Sequence, residues 1–183
     1  IPLEASSDAT YDEEVTIDLN ELEPMTALPH SPDNVSEVVK EKIKIDQVVI
    51  GSCTNSSYTD MMRVASILKG KKIHQDVSLA IAPGSANILQ MLAKNGALAD
   101  MIMSGARILE SACGPCIGMG QAPKSNGVSL RTMNRNFKGR SGTMNASVYL
   151  VSPETAAYSA ITGELSDARE LGNEINVDLP ESF

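Results

Sequence analysis

Two apolar runs, at residues 45–50 and 77–82, each end in a turn-forming loop and lead into a segment of helical period. That alternation constrains the chain more than any other feature. The first run is rich in β-branched residues and closes at Gly51. After it, residues 58–68 place Met61, Met62, Val64, Ala65 and Leu68 on one helical face. The second run closes at Pro83-Gly84-Ser85, and residues 86–94 form a second helix stopped by Asn95-Gly96. Residues 101–103, 128–132 and 148–151 read as further strands, and 153–162 as a helix with Pro in its first turn. Near-continuous apolar strands alternating with helices predict a mostly parallel sheet covered on both faces: an α/β chain with a three-layer α/β/α architecture.

The chain before these elements has a different character. Residues 1–8 are Ser- and Asp-rich without a period and are expected to be poorly ordered, whereas 14–19 alternate polar with apolar as a half-buried strand does. Pro24, Pro29 and Pro32 make 23–34 a loop, and a short helix capped by Ser36 is predicted over 36–44. Residues 1–35 thus read as an acidic, proline-rich lead-in with one strand, and 36–183 as a single α/β domain. The start at Ile1-Pro2, with no Met, reads as a piece of a longer protein. No apolar run approaches the roughly 20 residues of a membrane span, and no signal-peptide pattern stands at the start. The expected compartment is the reducing cytoplasm.

A net charge of -8 argues against nucleic acid or an anionic membrane as partner, and an aromatic content of 3% without Trp leaves no platform for stacking bases. The charge is also uneven. Residues 1–33 hold nine acids and no Lys or Arg, the pattern of a solvated lead-in. Residues 111–153 hold five bases, Lys124, Arg131, Arg135, Lys138 and Arg140, and no acid. Interleaved with Asn and Gly, these read as an anion site for carboxylate or phosphate.

In parallel sheets, ligands gather where strands run into loops at their carboxyl ends. Those loops hold every Cys here: Gly51-Ser52-Cys53-Thr54-Asn55-Ser56 carries one, and Ala112-Cys113-Gly114-Pro115-Cys116-Ile117-Gly118 carries two. A lone Cys is usually a small buried hydrophobe, but these sit among Gly, Ser and Pro. An odd count does not suggest a disulfide framework. Three chemistries compete. A thioredoxin-like redox pair would use Cys113 and Cys116 and leave Cys53 and the Arg cluster without a role. Zinc would need a fourth ligand, and neither His30 nor His74 has a spacing that recommends it. An iron–sulfur cluster suits thiolates. Held by only three of them, a four-iron cube keeps one iron open as a Lewis acid beside a rim of Arg.

The ordered motifs Gly51-Ser52-Cys53-Thr54-Asn55, Ala112-Cys113-Gly114-Pro115-Cys116-Ile117-Gly118 and Asn134-Arg135-Asn136-Phe137-Lys138-Gly139-Arg140 together resemble the aconitase family. Ala82-Pro83-Gly84-Ser85 and Val151-Ser152-Pro153-Glu154 are similar too, so the likeness covers residues 24–163. It implies that Cys53, Cys113 and Cys116 hold a 4Fe-4S cluster whose open iron binds the hydroxyl and a carboxylate of substrate during reversible dehydration. The matching Asn134, Arg135 and Arg140 would contact a tricarboxylate or stabilise the cluster's surroundings, Arg being suited to bidentate carboxylate binding. Lys124, Lys138 and Arg131 are expected to be ordinary surface charges.

Within the family, Cys-Gly-Pro-Cys-Ile-Gly looks more like aconitase than like the large subunit of isopropylmalate dehydratase, with homoaconitase also open. The resemblance therefore implies a hydro-lyase isomerising citrate to isocitrate through cis-aconitate, in the tricarboxylic acid cycle. Family members are longer, with four domains, and this chain resembles the third. The base Ser and the His/Asp acid machinery belong to the family's other domains, so no catalytic residue is expected here. The partners would be the missing domains, and the chain alone is expected to be inactive. Two readings stand against this: a thiol–disulfide module using Cys113 and Cys116, and a non-catalytic iron–sulfur sensing domain.

Overall fold

The computed structural model describes residues 3–172, 175–177 and 180; Ile1 and Pro2 of the lead-in and the rest of the C-terminal tail lie outside the described residues. Its strands are β1 (Met25–Ala27), β2 (Val35–Glu37), β3 (Gln47–Gly51), β4 (Ser78–Ala82), β5 (Arg107–Ile108), β6 (Val128–Arg131) and β7 (Ser147–Leu150). Its helices are α1 (Tyr58–Leu68), α2 (Ala86–Lys94), α3 (Ala97–Ser104) and α4 (Pro153–Thr162). The strands form one sheet in the order β2-β1-β7-β6-β3-β4-β5. β3 through β7 run parallel, and β1 joins β7 antiparallel at Ala27↔Leu150. The sheet is thus mostly parallel, and the fold is the expected three-layer α/β/α.

Strand alternation sorts the residues into layers. Val48 stands opposite Leu79 and Leu130 in register, and these three, with Ile50 and Ile81, pack into one core with all four helices. Met61, Ile67 and Leu68 of α1, Leu92 of α2, Met101 of α3 and Ala156 of α4 complete that core. Each fully buried Leu, Ile or Met there contributes about 1.5–3 kcal/mol. The other face carries Gln47, Val49, Ala80, Ser129 and Arg131. It is covered by the segment after β5, including a one-turn 3₁₀ helix at Gly114–Ile117, with Cys116 and Met133 packed on Val49 and Ala80.

Local chemistry fixes the helix ends. The Ser57 hydroxyl accepts from the Asp60 N–H and the Asp60 carboxylate accepts from the Ser57 N–H, a reciprocal cap that starts α1. Ser85 and Ser152 do the single version for α2 and α4. The expected bounds of α1, α2 and α4 hold. Among the described residues no helix is long and apolar enough to cross a membrane.

Four expectations are corrected. Residues 101–103 lie inside α3, because Gly96 and Gly105 bracket an eight-residue helix there, and the strand is β5 instead. Residues 14–19 form no strand: Val15, Ile17 and Leu19 are exposed and the segment pairs with no strand of the sheet. Instead, β1 forms inside the expected loop, and β2 followed by a 3₁₀ turn at Val38–Lys40 replaces the expected helix after Ser36. Arg131 is not a surface charge. It is 0% exposed, because on a strand with neighbours on both sides its side chain points into the second covered face.

Candidate metal centre

The loop after β3 is held in an unusual backbone shape. Ser52 and Asn55 take φ of 92° and 51°, two of the three non-glycine residues with positive φ among the described residues, and they flank Cys53. Hydrogen bonds fix the loop to both neighbouring strands. The Ser52 N–H donates to Ala82 O (2.9 Å), and the Asn55 side-chain amide donates to Thr132 O (2.5 Å). Inside the loop the Ser56 hydroxyl donates to Ser52 O (2.6 Å). Thr132 Oγ1 accepts the Gly51 N–H at 2.8 Å in a buried setting. Cys53 is left exposed on the rim.

The other two cysteines flank the 3₁₀ turn. Cys113 precedes it and is exposed, whereas Cys116 lies within it and is buried. The Ser52 hydroxyl reaches Ala112 O (3.4 Å), joining the two cysteine loops. Between them, Cys53 and Cys113 line a cleft of about 120 Å³ with Ser52, Gly84, Ser111 and Ala112. No cysteine is in a disulfide.

Two arginines address the Cys116 side. Arg140 Nη2 donates to Cys116 Sγ at 3.0 Å, and its guanidinium lies 5.8 Å from the centre of the Phe137 ring. Its Nε is buried without a partner in the structure, as are Asn136 Oδ1 and Ser141 Oγ. Arg131 donates through Nη1 to Pro115 O (2.6 Å) and through Nη2 to Gln121 O (2.6 Å) and Gln47 Oε1 (3.0 Å). Burial pushes the Arg131 guanidinium down to about 10, the charge of Cys116 acting in the opposite sense, so it stays protonated at neutral pH.

Of the other expected site residues, Asn134 and Arg135 are exposed on the loop after β6. The structure brings Arg140 to the thiol but gives Asn134 and Arg135 no bond to it. Asn136 is structural: its amide donates to Leu28 O (2.8 Å) and Val148 O (3.1 Å), tying the lead-in to β7. Lys124 pairs with Asp46 at 2.6 Å on the surface, away from the cysteines.

Three thiols are a donor set of the kind a four-iron cluster takes. Among the described residues no group of three or more His, Cys, Asp or Glu converges to hold one metal ion. A four-iron cluster takes its thiolates at separate corners, which Cys53 on one loop and Cys113 and Cys116 on the other would supply. The guanidinium on the Cys116 sulfur would complement the negative charge of a metal-bound sulfur.

The structure is thus a mostly parallel α/β/α sheet whose strand-end loops carry three cysteines outside any disulfide, one of them met by a guanidinium. Sequence comparison takes the assignment further. The profile of the Aconitase family (aconitate hydratase) matches residues 36–163, and the chain belongs to that family. It is 45% identical over 170 residues to 3-isopropylmalate dehydratase large subunit 1 of Methanopyrus kandleri, covering 92% of this chain and 41% of that protein. It is 44% identical over 171 residues to the protein of the same name from Thermotoga maritima, covering 91% and 41%. A methanogen homoaconitase large subunit from Methanocaldococcus jannaschii is 41% identical over 162 residues, covering 87% and 39%. The chain spans about two fifths of the length of these relatives.

Proposed function

We propose that residues 36–183 are the cluster-ligand unit of an aconitase-family hydro-lyase of the 3-isopropylmalate dehydratase or homoaconitase large-subunit kind, with residues 1–35 as its acidic lead-in. The observation that carries this reading is the Arg140 guanidinium on the Cys116 sulfur, together with a cleft that Cys53 and Cys113 share. The names of the relatives favour an isopropylmalate- or homoaconitate-type acid over citrate. The placement in the tricarboxylic acid cycle drops out with citrate.

In this reading Cys53, Cys113 and Cys116 hold a 4Fe-4S cluster. When bound, its thiolate-free iron supplies Lewis acidity toward a substrate hydroxyl. The chain's own residues do the rest of the work on this side. Arg140 keeps the Cys116 sulfur in place, with its Nε still unpartnered. Arg135 and Asn134, exposed on the adjoining loop, bind and orient a substrate carboxylate, the first through its planar fork. The acid and base groups come from the remainder of a longer chain and from a smaller partner subunit, since the relatives are named large subunits. The free thiols fit a cytoplasmic setting.

The test is anaerobic reconstitution with iron and sulfide, followed by metal and sulfide counts on the wild type and each Cys→Ser variant. Loss of the cluster in all three variants is expected. Dithiol–disulfide cycling of Cys113 and Cys116 without iron uptake, unaffected by Cys53→Ser, would instead make this a thiol–disulfide module. The complete enzyme, offered the unsaturated acids related to 3-isopropylmalate, homocitrate and citrate, should turn over the citrate-derived one most slowly.

A further inference from the structure

Arg131 has no function in the reading above, yet it is the most unusual charge in the chain. Its guanidinium is fully buried in the middle of the sheet. Each of its five N–H groups has an acceptor: Pro115 O and Met133 Sδ for Nη1, Gln121 O and Gln47 Oε1 for Nη2, and Ser129 Oγ for Nε. All of these acceptors are neutral. Among the described residues no carboxylate pairs with it, although the other arginines and lysines of the chain include several in ion pairs on the surface.

Burying a full positive charge against neutral partners is unfavourable unless a negative charge lies close by. A neutral polar residue would satisfy carbonyls at lower desolvation cost. Cys116 is bonded to Pro115, whose carbonyl Arg131 holds, and its sulfur would carry negative charge as a metal ligand. The two carbonyls Arg131 grips, at Pro115 and Gln121, stand at either end of the loop that starts beside Cys116. The guanidinium therefore clamps that loop from behind, while Arg140 meets the Cys116 sulfur directly.

We propose that Arg131 is a positioning residue and a buried counter-charge for the sulfur-ligated cluster: it fixes the Cys116 loop and places a permanent positive charge behind it. This rests on the cluster reading of the cysteines but goes beyond it. A fixed cation near a cluster stabilises the form with the extra electron, so it raises the reduction potential; the clamp slows loss of iron.

The experiment uses the full-length protein, reconstituted anaerobically with iron and sulfide. Wild type, Arg131→Gln and Arg131→Lys are compared by circular dichroism, by midpoint potential in a spectroscopically monitored titration, and by the rate at which a chelator removes iron. Arg131→Gln should fold, take a more negative midpoint and lose iron faster by on the order of tenfold. Arg131→Lys keeps the charge and loses the fork, so it should hold the midpoint near that of wild type while releasing iron faster. A folded Gln variant with unchanged midpoint and unchanged release overturns the proposal. Should the Gln variant not fold, the Lys variant decides by its midpoint, and a midpoint that falls there overturns the assignment of charge. Failure of both to fold would assign Arg131 to the fold alone and also overturn it. A wild type that takes up no iron would overturn the cluster reading itself, whereas a loaded wild type with indifferent variants would sink only the role of Arg131.

Discussion

Replacing Gly118 by Ala tests how the Cys116 loop is built. Gly118 ends the 3₁₀ turn with φ of 91°, a conformation in which an L side chain costs about 1–2 kcal/mol. A Cβ placed there would also lie 2.1 Å from Ser141 O and 2.7 Å from Ser141 C, which are backbone atoms with no rotamer to move aside. Forcing that space open adds about 1–3 kcal/mol. Against these stands a gain of roughly 0.5 kcal/mol from a less flexible unfolded chain. Gly118→Ala should therefore destabilise the chain by about 3 kcal/mol. Gly120 provides the control two residues on, because its φ is 68° and nothing lies within 4 Å of its Cβ position. Gly120→Ala should cost only about 1 kcal/mol, the backbone strain alone. Urea unfolding followed by far-ultraviolet circular dichroism measures both. Ser141 follows Arg140, so displacing it also moves the guanidinium off the Cys116 sulfur, and the buried thiol should then react faster with a thiol reagent. Equal unfolding midpoints for the two variants would refute the close-approach argument, whatever their common value.

The remaining expectations concern other parts of the frame. Thr132→Val keeps the side-chain shape but leaves the buried Gly51 N–H without its acceptor, a loss of about 1–3 kcal/mol measurable in the same unfolding assay. Leu92→Ala, in the core shared by the helices, should cost about 2–5 kcal/mol by the cavity it leaves. Arg169 holds the Asp167 carboxyl below its ordinary value of 3.8 by hydrogen bonding, with burial opposing and the Arg169 N–H and charge adding to the effect. The stability from that pair is thus present above the ordinary carboxylate range and is lost as pH falls through the depressed value. Asp167→Asn should lower the thermal midpoint at neutral pH, and the gap from wild type should close in strong acid.

Legibility in the sequence followed the range of the interactions. α1, α2 and α4 were readable to the residue because period and cap both lie within the segment: Ser57 with Asp60, Ser85, and Ser152 before Pro153. Residues 101–103, inside α3, read as a strand because a three-residue apolar run carries no period of its own. The lead-in failed for the opposite reason. Residues 14–19 have strand alternation, but a strand needs a partner, and it is Met25–Ala27 that pairs with β7 instead. The cysteine loops were legible as strand-end loops, and Cys53 and Cys113 do share a cleft. The hydrogen bond from Arg140 to Cys116 joins groups 24 residues apart and needed the fold. Arg131 reads as a surface charge by residue type, though the sequence holds a contrary signal. If Val128 and Leu130 face one side of a central strand, Ser129 and Arg131 face the other, and a central strand of a doubly covered sheet has no side toward water.

The pairing of β1 with β7 has a consequence for where the folding unit starts. The family match opens at residue 36, whereas the sheet opens at Met25. Between those points runs the strand that covers the free edge of β7, fastened by the Asn136 amide on Leu28 O and the Thr26 hydroxyl on Leu150 O. A polypeptide trimmed to the motif-bearing segment would keep every cysteine and lose that cover. Its β7 would present a row of unpaired backbone groups, a template on which a second copy can add its own strand. Trimming the sequence at its recognisable motifs would exchange a short two-stranded border for the bare edge of β7 and favour self-association.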